Sequence, residues 1–213
     1  MKIAHVGIGS RIHPYLPFTA LNTVWRKLDR QAESILDVGC GKGEVMKFIN
    51  RGKKFYAVGV DIFKPYVQES RKLGCYDEVI LADIRNLSFK PKSFDIVLAI
   101  EVLEHLEKEE GERLLQAMQE VARKQVILTT PVGEYKQDAY NGNPHQEHKS
   151  SWYPIELKQA GYAVTNIGIH GLRLPRGFSF ITPLLGILAG PVVHVLPKLG
   201  GRSIAVKKLD KLT

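Results

Sequence analysis

Cysteine is scarce in this chain: its 213 residues include two cysteines, Cys40 and Cys75. They lie in unrelated segments, so the sequence indicates no disulfide framework. No group of cysteines and histidines has the spacing of a zinc finger. We therefore expect the fold to be held by its core, without disulfides or a structural metal.

A long uninterrupted apolar run is also missing. The first ten residues lack the apolar stretch of a secretory signal peptide, which predicts a cytoplasmic protein. Residues 178–193 are nearly uncharged, but Pro183 and Pro191 interrupt them. Because a membrane-spanning helix needs about 20 apolar residues without such breaks, we predict no spanning segment.

Charge is unbalanced toward the basic side. The formal net charge is +8 and the isoelectric point is about 9.4. The basic residues are scattered, and no run reaches the length of a polybasic tail. The charge is compatible with a nucleic-acid partner, an anionic membrane surface or a soluble basic protein. With 44% hydrophobic residues, the chain is predicted to form one domain, residues 1–213.

The most informative segment is a glycine-rich run at residues 35–43, Ile-Leu-Asp-Val-Gly-Cys-Gly-Lys-Gly. A short apolar strand ends there in a turn whose glycines let a ligand approach the main chain closely. This arrangement predicts a nucleotide-type ligand at the carboxyl end of the first strand of an open α/β sheet. It differs from the dinucleotide fingerprint, which needs a glycine where Glu44 stands; a carboxylate there would repel a pyrophosphate.

Four consecutive apolar runs each end in a carboxylate. These acidic residues are Asp37, Asp61, Asp83 and Glu101. Because the carboxyl ends of parallel strands meet at one crevice, we expect the four side chains to lie together. Asp61, about 20 residues beyond the glycine turn, is in a position to accept hydrogen bonds from both ribose hydroxyls of a nucleoside.

Residues 34–130 resemble the class I methyltransferases that use S-adenosylmethionine (SAM), particularly those acting on small molecules. Residues 36–43 resemble the first motif of that family, residues 59–61 the second and residues 82–84 the third. Residues 94–97, followed by Glu-Val-Leu-Glu-His-Leu from residue 101, resemble its post-strand segment. The resemblance implies an α/β fold: a Rossmann-like, doubly wound, mostly parallel seven-stranded sheet with an antiparallel edge strand.

The resemblance also implies that SAM is the cofactor. It assigns the glycine turn to the methionine part of SAM, Asp61 to the ribose, and Asp83 with Ile84 to the adenine. The full set of implied cofactor-binding residues is Asp37, Gly39, Cys40, Gly41, Gly43, Asp61, Ile62, Asp83, Ile84 and Glu101.

Hydrophobic periodicity predicts the remaining elements. An amphipathic helix within residues 17–30 resembles the leading helix that covers the SAM pocket in this family. Further helices are predicted at 64–72, 109–122 and 151–159, the last with Ser151 as its cap and Gly161 as its stop. Residues 87–93 are predicted as a helix with weak sequence signals or as a loop. Residues 163–169 and 203–209 are predicted as the last two strands.

A polar, turn-rich segment at residues 131–152 follows the fifth predicted strand and would cover the crevice. We predict that this acceptor loop binds the methyl acceptor. The residues chosen for that role are Tyr135, Tyr140, His145 and Trp152. His145 and His148 are three residues apart, but no third ligand is evident, so no metal site is predicted.

Two histidines are candidates for catalysis. His148 has the chemistry of a general base, since histidine titrates near neutral pH; the alternative is that it braces the loop through hydrogen bonds. His105 follows the fourth predicted strand, close to where the methyl group would lie. The resemblance favours a structural or cofactor-side role for His105 over acceptor chemistry.

An apolar insert at residues 172–201 also departs from a bare scaffold. Three interpretations are open. The insert lies in a membrane interface with its basic flanks on lipid headgroups, or it lines or covers an apolar acceptor pocket, or it forms a dimer interface or part of the core. The first interpretation would give the protein a peripheral membrane contact.

The sequence thus predicts a SAM-dependent methyltransferase with a small-molecule acceptor, for which an apolar or lipid-like compound stays open. Methylation of RNA or DNA is an alternative, but nucleic acid is not the predicted partner. Residues 100–103 lack the Asn/Asp-Pro-Pro-aromatic signature that is typical of base amino-methylating enzymes. A catalytically silent SAM-binding protein is the other alternative, and the intact glycine turn argues against it.

Overall fold

The structure, a computed structural model, describes residues 19–168 and 201–209. These residues form one seven-stranded sheet with helices packed on both of its faces. The strands in chain order are β1 (Ser34–Val38), β2 (Tyr56–Asp61), β3 (Glu78–Leu81), β4 (Phe94–Ile100), β5 (Ala122–Pro131), β6 (Ala163–Ile167) and β7 (Arg202–Lys208).

Five α-helices lie within the described residues, one before β1 and four between strands. They are α1 (Ala20–Lys27), α2 (Glu44–Ile49), α3 (Lys64–Arg71), α4 (Lys108–Val121) and α5 (Pro154–Gln159). Short 3-10 helices lie at Ile84–Asn86, Leu103–His105 and Pro144–Gln146. In the part of the chain that the structure describes, no helix has both the length and the apolar character needed to cross a membrane.

The order of the strands across the sheet is β3-β2-β1-β4-β5-β7-β6. β1 pairs in parallel with β2 on one side and with β4 on the other. The chain therefore reverses its progress across the sheet at β1. In an open α/β sheet, such a switch point leaves a crevice at the carboxyl ends of the strands, where ligands bind. The predicted fold class, an α/β, Rossmann-like, doubly wound sheet, is confirmed.

The antiparallel strand of the sheet is β7, which pairs with β5 on one side and with β6 on the other. The predicted antiparallel pair at this end of the sheet is present. However, β7 lies one place in from the edge, and β6 forms the edge itself. The register pairs Arg202 of β7 with Pro131 of β5, which brings Arg202 to the carboxyl end of β5 and hence to the crevice.

The core lies in two layers because successive side chains of a strand point to opposite faces of a sheet. In β1, Ile35 packs in the layer that includes residues of α1 and α2, and Leu36 packs in the layer that includes residues of α4 and α5. All five residues of β1 are buried. Burial on both faces explains why the central strands have continuous apolar runs rather than alternating ones.

The last predicted helix is shifted along the chain. α5 begins at Pro154, and Tyr153 rather than Ser151 is its cap. The backbone N–H of Tyr153 donates to Oε2 of Glu156 at 2.7 Å, which closes a capping box. Gly161 follows the helix in the left-handed conformation, with φ at 87°, as expected of a residue that stops a helix.

Other predicted segments differ from the structure or lie outside it. Residues 87–93 form no helix, and the 3-10 turn Ile84–Asn86 precedes them. α1 packs against α2 and β7, and none of its residues is in the cavity wall described below. The apolar insert at 172–201 lies outside the described residues except for Gly201, so its three interpretations stay open.

Candidate active site

The glycine turn after β1 lies at the crevice and approaches a neighbouring loop closely. Gly39 has a left-handed backbone, with φ at 71°, and a Cβ on it would lie 2.6 Å from Cγ2 of Val102. Gly41 is also left-handed, with φ at 54°. The N–H groups of Gly39 and Cys40 both donate to the Val60 carbonyl, at 2.8 and 2.9 Å. Glycine is required at Gly39 both by the backbone angle and by the space available.

Asp61 is the last residue of β2 and is 8% exposed. Its Oδ2 accepts the N–H of Gly41 at 2.8 Å, and its Oδ1 accepts the N–H of Phe63 at 2.8 Å. These two bonds fix the carboxylate on both sides. Because each carboxylate oxygen has more than one lone pair, Asp61 still has acceptor capacity for hydroxyl groups of a ligand in the crevice.

Asp83 forms an ion pair with Arg85 at the rim of the crevice. Nε of Arg85 donates to both carboxylate oxygens of Asp83, at 3.0 and 2.9 Å. Arg85 also pairs with Glu110 at 3.3 Å. The hydrogen bonds from the guanidinium lower the pKa of Asp83. The negative charge of this carboxylate is therefore already compensated within the protein.

Glu101 follows β4 and has an unusual backbone for a residue with a side chain, with φ at 56°. Its Oε1 accepts the hydroxyl of Thr129 at 2.7 Å, and its Oε2 pairs with Arg202 at 2.7 Å. The neighbouring strands β5 and β7 thus hold this side chain in place. Strained backbone that is fixed by its surroundings is common at functional sites.

These groups surround a cavity at the switch point of the sheet, where ligands bind in folds of this kind. The described residues of its wall are Gly39, Gly41, Asp61, Ile62, Asp83, Ile84, Arg85, Glu101, Val102, His105, Leu106, Glu110, Asn143, His145, Gln146 and Lys149. Seven of the ten residues predicted to bind SAM are in this wall. The structure therefore brings most of the predicted cofactor residues together.

Three predicted cofactor residues, Asp37, Cys40 and Gly43, lie outside this described wall. The Asp37 side chain is 1% exposed and accepts a hydrogen bond from the hydroxyl of Tyr76 at 2.6 Å. Burial raises the pKa of Asp37 to about 7, and the charge of Asp61 adds to the increase, while the bond from Tyr76 opposes it. Gly43 instead packs against α3 and its following turn.

The acceptor loop contributes His145 to the cavity wall. Asn143 caps the 3-10 turn Pro144–Gln146 by accepting the His145 N–H at 2.9 Å, and this turn presents His145 to the cavity. Tyr135 and Tyr140, also predicted to bind the acceptor, are not in the described wall.

The structure corrects the placement of Trp152. This side chain is 2% exposed and lies in the core layer that includes residues of α4, where its ring packs against Gly111. Its Nε1 donates to Oγ of Ser150 at 3.0 Å, and Lys108 lies over the ring at 3.6 Å from the centroid. Trp152 therefore anchors the base of the loop and does not face the cavity. A large aromatic residue after a polar loop could not be assigned to core or site by composition alone.

His105 and His148 lie together, with ring centroids 4.9 Å apart. His105 is in the cavity wall, and its Nδ1 is 3.0 Å from the Glu147 carbonyl oxygen. Burial lowers the pKa of His105. His148 lies behind it, with Nδ1 2.6 Å from the Tyr135 carbonyl oxygen. His105 therefore lies between the cavity and His148, the predicted base. The hydrogen bond expected if His148 braces the loop is present.

A group of three potential metal ligands lies at a different set of residues from the pair considered in the sequence. His148 lies near Glu104 and His105, and one potential ligand atom from each of the three is within 4.8 Å of the others. His145 is not a member of this group. The sequence did not associate Glu104 and His105 with His148, because they are distant from it in the chain.

Several residues of the cavity wall were not predicted. They are Arg85, Val102, Leu106, Glu110, Asn143, Gln146 and Lys149. Arg85 follows the predicted Asp83 by two residues, and the three loop residues flank His145, so proximity to predicted positions was the available signal. Glu110 gave no such signal, because it lies in the first turn of an otherwise surface-like helix.

The fold and the cavity together define a class of protein, namely a doubly wound α/β domain with a nucleotide-type site at its switch point. Residues 36–129 match a family model described as a methyltransferase domain. These residues of the chain are therefore similar to a methyltransferase domain, and the similarity supports SAM as the cofactor.

Two curated relatives match part of the chain. The mouse (Mus musculus) protein named "Probable tRNA methyltransferase 9B" is 34% identical over 89 residues, which are 42% of this chain and 18% of that protein. A tRNA (carboxymethyluridine(34)-5-O)-methyltransferase from Arabidopsis thaliana is also 34% identical over 89 residues, covering 42% of this chain and 20% of that protein. The match thus spans about a fifth of the length of these relatives.

A solved structure matches nearly the whole chain. It is the magnesium protoporphyrin IX methyltransferase (ChlM) from Synechocystis PCC 6803 with bound SAM, with a TM-score of 0.59 and 15% identity. The alignment covers 98% of this chain and 87% of that chain. At this identity the likeness concerns the fold alone.

Proposed function

We propose that this chain transfers the methyl group of SAM to a small polar molecule bound at the mouth of the cavity. The observation that carries the proposal is the convergence in one cavity of the glycine turn, Asp61 and the acceptor-loop residue His145. A cofactor site and an acceptor site that share a wall supply what a direct methyl displacement needs. Such a reaction depends on the alignment of the two reactants and on the exclusion of water.

The cofactor half of the proposal uses the predicted residues that line the cavity. Asp61 binds the ribose hydroxyls with its remaining lone pairs, and Ile62 and Ile84 form the apolar walls for the adenine. The left-handed glycines leave room for the methionine part of SAM. The compensated charge of Asp83 suits contact with a neutral base better than contact with a cation.

The acceptor half of the proposal rests on the charges at the mouth. Arg85 and Lys149 are the cations among the described residues of the wall. Arg85 is paired with Asp83 and Glu110, and Lys149 is 4.0 Å from Glu107. A polyanion gains most from cations that are not already neutralised by carboxylates. Asn143 and Gln146 complete a polar mouth, which favours a polar acceptor over the apolar one considered in the sequence.

RNA is the second candidate acceptor. The curated relatives above are named as tRNA methyltransferases, and the net charge of +8 favours association with a polyanion. The match covers 42% of this chain, so more than half of the chain lies outside it.

The test offers both acceptors to the purified full-length chain with SAM labelled in its methyl group. One reaction contains total RNA, and the other contains an RNA-free ultrafiltrate of a cell extract. We expect methyl label in the small-molecule fraction and none in RNA. We also expect the Asp61→Ala variant to transfer no label to the small-molecule fraction. Label in RNA, with binding that weakens steeply as salt increases, would replace the small-molecule proposal by the RNA one. Label in neither fraction would favour a silent SAM-binding protein.

A further inference from the structure

Three side chains that the proposed SAM contacts do not use meet beside the cavity: Glu104, His105 and His148. One potential ligand atom from each lies within 4.8 Å of the other two. Ligand atoms at about 2.1 Å from a tetrahedral cation are about 3.4 Å apart, so modest side-chain rotations bring this group to binding distance. We propose that these residues bind a divalent transition-metal cation next to the SAM site.

The hydrogen bonds of the two histidines are those of metal ligands. Nδ1 of His105 faces the Glu147 carbonyl at 3.0 Å, and Nδ1 of His148 faces the Tyr135 carbonyl at 2.6 Å. A carbonyl only accepts, so each Nδ1 carries the proton and each Nε2 keeps its lone pair. Metal-binding histidines typically use this second bond to a carbonyl or carboxylate to fix the ring and its tautomer.

The charges around Glu104 also favour a cation. Its side chain is 2% exposed, and its Oε2 has no hydrogen-bond partner among the described residues. Glu101 is the nearby second carboxylate, and Arg202 pairs with Glu101 at 2.7 Å. One guanidinium thus faces two carboxylates. A buried carboxylate oxygen without a hydrogen-bond partner is costly, and a bound cation beside Glu104 offsets that cost.

The acceptor loop is tied to Glu104 in a way that holds His148 in place. The N–H groups of Lys149 and Ser150 donate to the Glu104 carbonyl at 2.7 and 3.2 Å. The N–H of His148 donates to the Gln137 carbonyl at 2.9 Å. The three ligands therefore come from two segments joined by their backbones, and a site held by such secondary contacts is preorganised.

The donor set indicates which cation fits. Two imidazole nitrogens and one carboxylate oxygen suit borderline cations such as Zn²⁺ or Co²⁺, whereas Mg²⁺ and Ca²⁺ prefer sites made of oxygen atoms. With three protein ligands, at least one coordination position stays open. His105 is in the cavity wall, so the cluster borders the cavity. There the cation binds a hydroxyl oxygen of the acceptor and lowers its pKa, a role that rests on the proposed function.

The test measures cation binding without reference to activity. The full-length chain, freed of metal with EDTA, is titrated with Co²⁺, Zn²⁺ and Mg²⁺ by calorimetry, and Co²⁺ is also followed by visible absorption. We expect one Co²⁺ or Zn²⁺ per chain and at least about 10-fold weaker binding of Mg²⁺. His148→Ala and Glu104→Gln should each weaken Co²⁺ binding at least about 100-fold, more than the loss of an outer-shell partner does.

The matched control is His145→Ala, a histidine of the same loop that lies outside the cluster, and its Co²⁺ affinity should equal that of the wild type. S-adenosylhomocysteine (SAH) binding and thermal unfolding report whether each variant is folded. Glu104→Gln preserves the shape of the side chain, and it tests the site if His148→Ala does not fold. The absence of Co²⁺ and Zn²⁺ binding, or equal effects of His148→Ala and His145→Ala, would overturn the site. Cation binding with no methyl transfer to any acceptor would overturn the proposed function and leave the site standing.

Discussion

The acidic side chains at the ends of the strands show how position within a strand decides their role. Asp61 is the last residue of β2 and faces the cavity, where Gly41 and Phe63 hold its carboxylate. Asp37 is the last residue but one of β1, and it is buried beside Tyr76. The sequence pattern treats these two aspartates alike. The register pairs Asp37 with Gly59, two residues before Asp61, so both aspartates lie on the same face of the sheet and Asp37 lies deeper along it. The sequence pattern cannot resolve this difference in depth.

At the same scale, Asp61→Ala should weaken the binding of SAH by about 1–3 kcal/mol, because the ribose hydroxyls lose their acceptor. Isothermal titration calorimetry measures the change. Glu112→Gln removes an exposed carboxylate of α4 outside the described cavity wall and should leave the affinity unchanged. An unchanged affinity in Asp61→Ala would show that the ribose lies elsewhere.

At the scale of secondary-structure elements, α4 and the acceptor loop pack closely together at a glycine of the helix. A Cβ on Gly111 would lie 2.5 Å from Cζ2 of Trp152, a side chain that is 2% exposed. The glycine lets the loop pack directly on the helix. Amphipathic periodicity predicted the helix itself, but the contact that positions the loop depends on two residues far apart in sequence.

Gly111→Ala should therefore lower the free energy of unfolding, by about 1 kcal/mol. In most helices the same change would stabilise by up to about 1 kcal/mol, but overpacking against a buried indole costs about 1–3 kcal/mol. Urea denaturation gives the difference. Gly52→Ala is the control, since a Cβ there would have no neighbour within 4 Å, and it should change the stability by less than about 0.5 kcal/mol. A stabilised Gly111→Ala variant would contradict the packing argument.

For the molecule as a whole, the buried carboxyl of Asp37 links stability to pH. Its pKa in the folded state is about 7, above the ordinary value of 3.8, and burial is the main cause. A raised carboxyl pKa means that the folded state binds the proton more tightly than the unfolded state. The resulting stability is fully present below about pH 4 and is lost as the pH rises through about 7.

We expect Asp37→Asn to remove this dependence while retaining an acceptor for the Tyr76 hydroxyl. The free energy of unfolding of the wild type relative to Asp37→Asn should be lower at pH 8 than at pH 5, by at most about 3 kcal/mol. Denaturant unfolding of both proteins without cofactor gives the two differences. Because the other titrating groups are common to both proteins, equal differences at the two pH values would mean that Asp37 is already ionised at pH 5.

The local sequence by itself determined the order of strands and helices, the glycine turn and the carboxylates that follow the strands, because these depend on short-range periodicity and on backbone angles that few residues adopt. Only the tertiary structure decided which of these carboxylates face the cavity, that Trp152 is buried, and that Glu104, His105 and His148 meet. These arrangements depend on how the acceptor loop after β5 returns across α4 and the end of β4. That path is fixed by contacts between residues distant in sequence, which no local pattern encodes.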